Sequence, residues 1–311
     1  MSPPAGRASP GPEHRRGVVL LVAVVLAWGL VWPVNKVLLE TFPPLWMAAL
    51  RYAIGTVALF GLAAGLGRLA LPFREDVPVL LSITLLHLVG FVVLSATGLQ
   101  YVPTGRSVVL AYTTPLWVTP GSRLFLGERL TARRIVGVIA GLAGLVFLFN
   151  PRAFDWTDRR AVFGNLIILA SALLWAGSIL HIRGHRWRAT PFALVPWEML
   201  LATAILTALG WVFAPFPSVR WDGRLVGLLL YAGIPGTAFA YWAIATASRH
   251  LPAVTTSLGS LGTPVVSVLV ATLWLGERLT VSLVVAIVLI LGGVAVGATE
   301  GRLAARRLAR P

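Results

Sequence analysis

Apolar runs of about twenty residues alternate with short polar connectors along almost the whole chain. The runs fall at roughly 18–39, 44–66, 77–99, 104–125 and 133–149, and then at 162–182, 192–213, 225–247, 253–275 and 281–298. A helix needs about 20 apolar residues to cross a hydrocarbon layer about 30 Å thick. The pattern predicts an all-α polytopic membrane protein with ten transmembrane helices. Residues 1–16, MSPPAGRASPGPEHRR, are rich in Pro, Gly and Ser and read as a disordered cytoplasmic tail. Residues 300–311 read as a basic cytoplasmic tail. The first apolar run continues well past signal-peptide length without a small-residue cleavage site, so it reads as a retained helix.

The hexapeptide LGERLT closes the fourth run at 126–131 and the ninth at 275–280. A shift of 149 superposes these copies, and also Pro115 on Pro264 and Pro103 on Pro252. Further upstream a shift of 147 places Trp28 on Trp175, Lys36 on Arg183, Pro44 on Pro191 and Arg51 on Glu198. The chain therefore divides into a first five-helix repeat at 17–150, a loop at 151–160 and a second five-helix repeat at 161–299. Because five is odd, the second repeat enters the membrane from the opposite side, which predicts two inverted repeats. The two LGERLT turns should then face opposite compartments. Gly127 and Gly276 are placed to end one helix, and Thr131 and Thr280 to cap the next.

Charge adds orientation. Only 12% of residues are charged, yet the formal net charge is +15. With the amino terminus inside, inner segments carry 17 basic residues and outer segments 8. That is the positive-inside pattern, with both termini cytoplasmic in a bacterial inner membrane, and not a nucleic-acid surface. The chain has no cysteine, which excludes disulfides and zinc-thiolate sites.

In this order, WGLVWPVNK, the Arg51-Tyr52 pair, ATGLQYVPTGRSVVLAYTTPLW and the duplicated LGERLT resemble the EamA-type transporters of the drug/metabolite transporter superfamily. The resemblance covers all ten runs. It implies a secondary carrier of small metabolites, often an exporter, with a central cavity between the halves. Family members carry cargoes from amino acids to sugars and drugs. No cofactor is implied; the expected partners are a small-molecule substrate and membrane lipid, and a monomer suffices for this design.

Candidate substrate-binding residues are Trp28, Trp32, Asn35, His87, Phe91, Tyr112, Trp175 and Tyr241. Aromatic walls suit amphipathic cargo by stacking and, for amines, by cation–π contact. The competing reading for each is ordinary packing against lipid or protein. Glu198 and His87 are the candidates for proton coupling, since ionisable groups inside a membrane are expensive. A structural role for either stands beside that reading, and Arg51 reads as a helix anchor reaching an interface or neighbouring carbonyls. Pro115 and Pro264 are candidate hinges, or else sources of fixed curvature. Clustered carboxylates, metal-ligand spacings and a phosphate-cradling GxxxxGK[ST] are all missing, which argues against a membrane enzyme or a built-in ATPase. A facilitative channel-like carrier and a non-transporting scaffold are the remaining alternatives.

Overall fold

The computed structural model describes residues 12–149, 154–251 and 253–298. Its helices in chain order are α1 (Pro12–Leu38), α2 (Pro44–Gly65), α3 (Val77–Ser82), α4 (Val92–Leu99), α5 (Thr104–Ala111), α6 (Thr114–Leu126) and α7 (Ala132–Leu148). They continue with α8 (Arg159–Gly184), α9 (Pro191–Phe213), α10 (Gly223–Gly233), α11 (Ala240–His250), α12 (Ala253–Ser260), α13 (Gly262–Leu275) and α14 (Val281–Ala298). π-Helical stretches join α3 to α4 at Ile83–Phe91 and α10 to α11 at Ile234–Phe239. No strand occurs among the described residues. Helix α1 begins five residues inside the expected amino-terminal tail; residues 1–11 and the carboxy-terminal tail lie outside the described residues.

Seven helical segments among the described residues are long and apolar enough to cross a membrane. These are Pro12–Leu38, Pro44–Gly65, Arg74–Leu99, Arg159–Gly184, Phe192–Phe213, Gly223–His250 and Leu258–Leu275. The three other expected spans fall on shorter pieces. The fourth is broken at Tyr112 and Thr113 into α5 and α6, and α7 has 17 residues. The last is the apolar helix Val281–Gly297. The protein is a multi-pass membrane protein.

Local sequence explains the joints. Gly127 and Gly276 adopt φ of 67° and 68°, the left-handed conformation that a side chain disfavours, and each ends its helix. Thr131 then accepts from Arg134 N, and Thr280 accepts from Leu283 N at 3.2 Å. Both LGERLT turns thus work as stop-and-cap joints. Each half also breaks its fourth segment just before a proline: at Tyr112–Thr113 ahead of Pro115, and at Leu261 ahead of Pro264.

Two pairs of helices related by the sequence shift, α2 with α9 and α7 with α14, pack on one another. In α2 and α9, Trp46 meets Trp211 with centroids 5.4 Å apart, and Phe60 meets Trp197 at 5.2 Å. The start of one helix therefore faces the end of the other, and the pair is antiparallel. At its middle, Thr56 Oγ1 lies 3.2 Å from Thr203 Oγ1, and these two threonines are 147 positions apart. Helices α7 and α14 approach so closely that a Cβ on Gly137 would stand 2.4 Å from the Gly293 carbonyl oxygen, with the reverse distance also 2.4 Å. Between helices in lipid, such close packing of small residues replaces the hydrophobic effect as the source of association. Helix α1 packs on α11 and α13 of the second half, while α8 packs on α4 and α6 of the first.

The two ends of the bundle differ in detail. At one end Lys36 Nζ donates to the Leu99 and Val102 carbonyls at 2.5 and 3.2 Å. Beside it Glu277 accepts from Thr104 N at 2.6 Å and Gly105 N at 2.9 Å, capping α5. Glu128 follows the far end of α6, so the two LGERLT turns lie at opposite ends. There the counterparts of Lys36 and Glu277 bind each other: Arg183 Nη2 lies 2.5 Å and Arg134 Nη1 2.9 Å from the Glu128 carboxylate. Burial acts to raise the Glu128 carboxyl, but hydrogen bonds from both arginines and their charges outweigh it and hold it below the usual carboxylate range.

Two outcomes follow from this packing. In the cysteine-free chain, the double variant Thr56→Cys, Thr203→Cys should cross-link on mild oxidation, and neither single variant should. Cleavage at a protease site placed at 154–158 reads this out, because only the cross-linked halves stay together on a non-reducing gel. Acidification should also release the Glu128 cluster. A depressed carboxyl stabilises the fold above its unfolded pKa, near 4.5, and loses that contribution as pH falls through the lower folded value. Lowering pH from 6 to about 3.5 should therefore cost the wild type more melting temperature than Glu128→Gln, and added salt should shrink the difference because the pair is partly exposed.

Candidate substrate cavity

Helix α1 presents Trp28, Val31, Trp32 and Asn35 to a cavity of about 100 Å³. These positions are three or four apart and so share one helical face. Helix α2 adds Met47, Arg51 and Tyr52, and the first π-helical stretch adds His87 and Phe91. A π-turn shifts the register of the residues after it, which re-aims side chains, and such turns recur at functional sites. Helix α4 contributes Val92, Ser95, Ala96 and Leu99, and Tyr112 enters from the break between α5 and α6. From the second half come Trp175 on α8, Gly236 in the second π-helical stretch and Tyr241 on α11. A Cβ on Gly236 would sit 2.2 Å from Val31, so glycine there is what lets the stretch lie against α1.

The rings form one connected wall. His87 stacks on Trp175 with centroids 5.2 Å apart and an interplanar angle of 12°. Phe91 and Tyr112 meet the same tryptophan at 4.9 and 5.9 Å. Across the cavity Trp28 meets Tyr241 edge-on at 5.9 Å, and His87 lies 6.5 Å from Tyr241. Trp28 and Trp175, equivalent under the sequence shift, thus line the same space from opposite halves. Such a surface presents π-faces and edges to a guest, with few polar anchors.

All eight residues singled out as substrate candidates line this cavity. Glu198 does not: it is buried on α9, only 4% exposed, outside the lining. Of the two prolines, Pro115 lines a second cavity of about 300 Å³ between α6, α7, α8 and α14, and Pro264 is buried in α13. That second cavity is larger but has no aromatic ring in its lining, and its Arg134 and Arg183 already hold Glu128. The smaller cavity is the one walled by aromatic rings. Arg51 was expected to anchor α2 toward an interface or neighbouring carbonyls; it stands in the cavity wall, 8% exposed. Its intramembrane charge was the signal, but sequence could not show which way α2 turns it. Met47 and Ser95 were missed, since nothing separates them from ordinary packing residues, and Tyr52 was read only as part of the Arg51-Tyr52 family pair.

An all-helical membrane protein with an aromatic cavity shared between two pseudo-equivalent halves has the design of a small-molecule transporter. The EamA-like transporter family matches residues 15–150 and again 162–298, and the chain belongs to that family, within the drug/metabolite transporter superfamily. It is 28% identical over 275 residues to the uncharacterized transporter YoaV of Bacillus subtilis, covering 88% of this chain and 94% of that one. It is 32% identical over 271 residues to the aromatic amino acid exporter YddG of Ancylobacter novellus, covering 84% and 89%. A riboflavin transporter of Rhizobium johnstonii matches at 32% over 108 residues, 35% of this chain and 34% of that one. A crystal structure at 26% identity superposes with a TM-score of 0.65 over 94% of this chain and 99% of that chain.

Proposed function

We propose that this protein is a secondary transporter that exports or exchanges small amphipathic metabolites, with amino acids the leading class. The observation that carries the proposal is the aromatic cavity walled by both halves. On this reading the chain makes ten transmembrane helices as two inverted five-helix repeats in a bacterial inner membrane, with both termini cytoplasmic. The antiparallel meeting of α2 with α9 supports the inversion, as does the placing of the LGERLT turns at opposite ends. A relative named as an aromatic amino acid exporter supports the cargo class.

Alternating access then needs one end closed while the other opens. The asymmetry between the ends fits such a cycle: Glu277 caps α5 at one end, while its counterpart Glu128 is held by arginines at the other. The breaks before Pro115 and Pro264 are the points at which the fourth and ninth segments would bend, because proline removes a helical hydrogen bond there. Energy would come from a proton gradient through His87 or Glu198; a facilitative carrier would lack that dependence.

Reconstitution into sealed liposomes tests this. Radiolabelled aromatic amino acids should enter in a saturable, protein-dependent way, faster with an imposed pH gradient. His87→Ala or Glu198→Gln should abolish the gradient response, and Glu198→Gln, at a position outside the cavity lining, should leave exchange at equal pH. Unchanged coupling in both variants would sink the proton role, and absence of flux for any small metabolite would favour a scaffold.

A further inference from the structure

The cavity wall carries one fixed charge, and it has no counter-ion. Arg51 is 8% exposed, and among the described residues it forms no ion pair. Its Nε is buried without an acceptor, Asn35 Oδ1 of the same lining without a donor, and the Tyr52 hydroxyl without a hydrogen-bond partner. Arg106 shows how this chain treats a partly buried arginine elsewhere. Its Nε donates to Asn165 Oδ1 at 2.6 Å and its Nη2 to the Leu148 carbonyl at 2.9 Å. The Arg51 guanidinium instead lies 4.9 Å from the Tyr52 ring centroid, a cation–π contact that does not take up its Nε–H. Glu198, its counterpart in the second half, is buried outside the lining and does not pair with it.

We propose that Arg51 receives the carboxylate of the cargo, so that the cavity selects small aromatic carboxylates over amines bearing the same ring. This rests on reading the cavity as the transport site. A guanidinium keeps its proton at any working pH and presents a planar fork of donors that matches a carboxylate in two parallel hydrogen bonds. An aromatic ring on the same guest meets the wall of Trp28, Phe91, Tyr112 and Trp175. Burying an arginine without a partner is costly, and an anionic guest removes that cost on entry. An amine without a carboxylate would bring a second cation beside the first, with no acidic side chain in the lining to offset it. An aromatic amino acid is accommodated: its carboxylate meets Arg51, and Asn35 Oδ1 and the ring faces can receive its ammonium group.

Calorimetric titration of the purified protein in detergent tests this with three probes that share a phenyl ring: phenylacetate, phenylalanine and phenethylamine. The two carboxylates should bind, and phenethylamine should bind at least about tenfold more weakly. Arg51→Gln should weaken phenylacetate on the order of 30-fold and erase the preference over the amine; Arg51→Lys, which keeps the charge but loses the fork, should fall between. If Arg51→Gln does not elute as a monodisperse, folded species, the Arg51→Lys comparison decides alone. Equal affinity for acid and amine, no binding of either acid, or acid binding unchanged in the substituted protein overturns the proposal. Binding needs no flux, so the two readings fail separately. Arg51-dependent acid binding without liposome flux contradicts transport alone; flux that ignores Arg51→Gln contradicts the role of Arg51 alone.

Discussion

Hydrocarbon offers no hydrogen bonds, so each polar group taken into it needs a partner inside the protein. Much of this structure follows from that constraint. Lys36 and Arg106 spend their donors on backbone carbonyls and on Asn165, and Glu277 spends its acceptors on the first amides of α5. Some buried threonines and serines bond back to carbonyls three or four residues earlier, as Thr113 does to Leu110 and Ser107 to Pro103. Others, such as Thr84 and Ser267, have no partner. Arg51 Nε, Asn35 Oδ1 and the Tyr52 hydroxyl are buried polar atoms left without a partner in one and the same wall. Polar capacity left open in one cavity is capacity for a guest.

The second governing feature is contact between counterparts. Thr56 meets Thr203, and the glycine-rich faces of α7 and α14 close on each other, so each half completes the packing of the other. The cavity takes its walls from both halves, chiefly from α1, α2 and α4 of the first and from α8 and α11 of the second. Symmetry holds in the packing and fails at the ends, where the same hexapeptide caps a helix once and binds two arginines once. Two equivalent sets of residues in unequal states are what a two-state cycle needs.

Sequence made the all-helical, membrane-spanning class legible because lipid imposes length and polarity on every span. The twofold family match was legible because duplication repeats its marks at a shift of 147 to 149 residues. The joints at Gly127, Thr131, Gly276 and Thr280 were readable because cap chemistry is local. The eight cavity residues were readable as a set: Trp28, Trp32 and Asn35 share a helical face, and Trp175 repeats Trp28. The π-helical stretches were hidden, since Ile83–Phe91 is as apolar as any α-helical span and differs only in backbone register. Also hidden were pairings that depend on which distant segment arrives. Glu277 reaches α5, and Asp76 accepts from His185 and from the amides of Arg188 and Ala189 across more than a hundred residues. The orientation of Arg51 belongs with these, because it depends on how α2 is rotated by its contact with α9.

The central claim is that one aromatic cavity, shared by two pseudo-equivalent halves, opens in turn to each side of the membrane. The absence of native cysteine allows a direct measurement. Ser95 lines the cavity, and cysteine is close to its size. In sealed vesicles of each orientation, Ser95→Cys should be modified by a membrane-impermeant thiol reagent applied from either side, and a bound cargo should slow both reactions. Modification from one side only, whatever the gradient or cargo, would contradict the account.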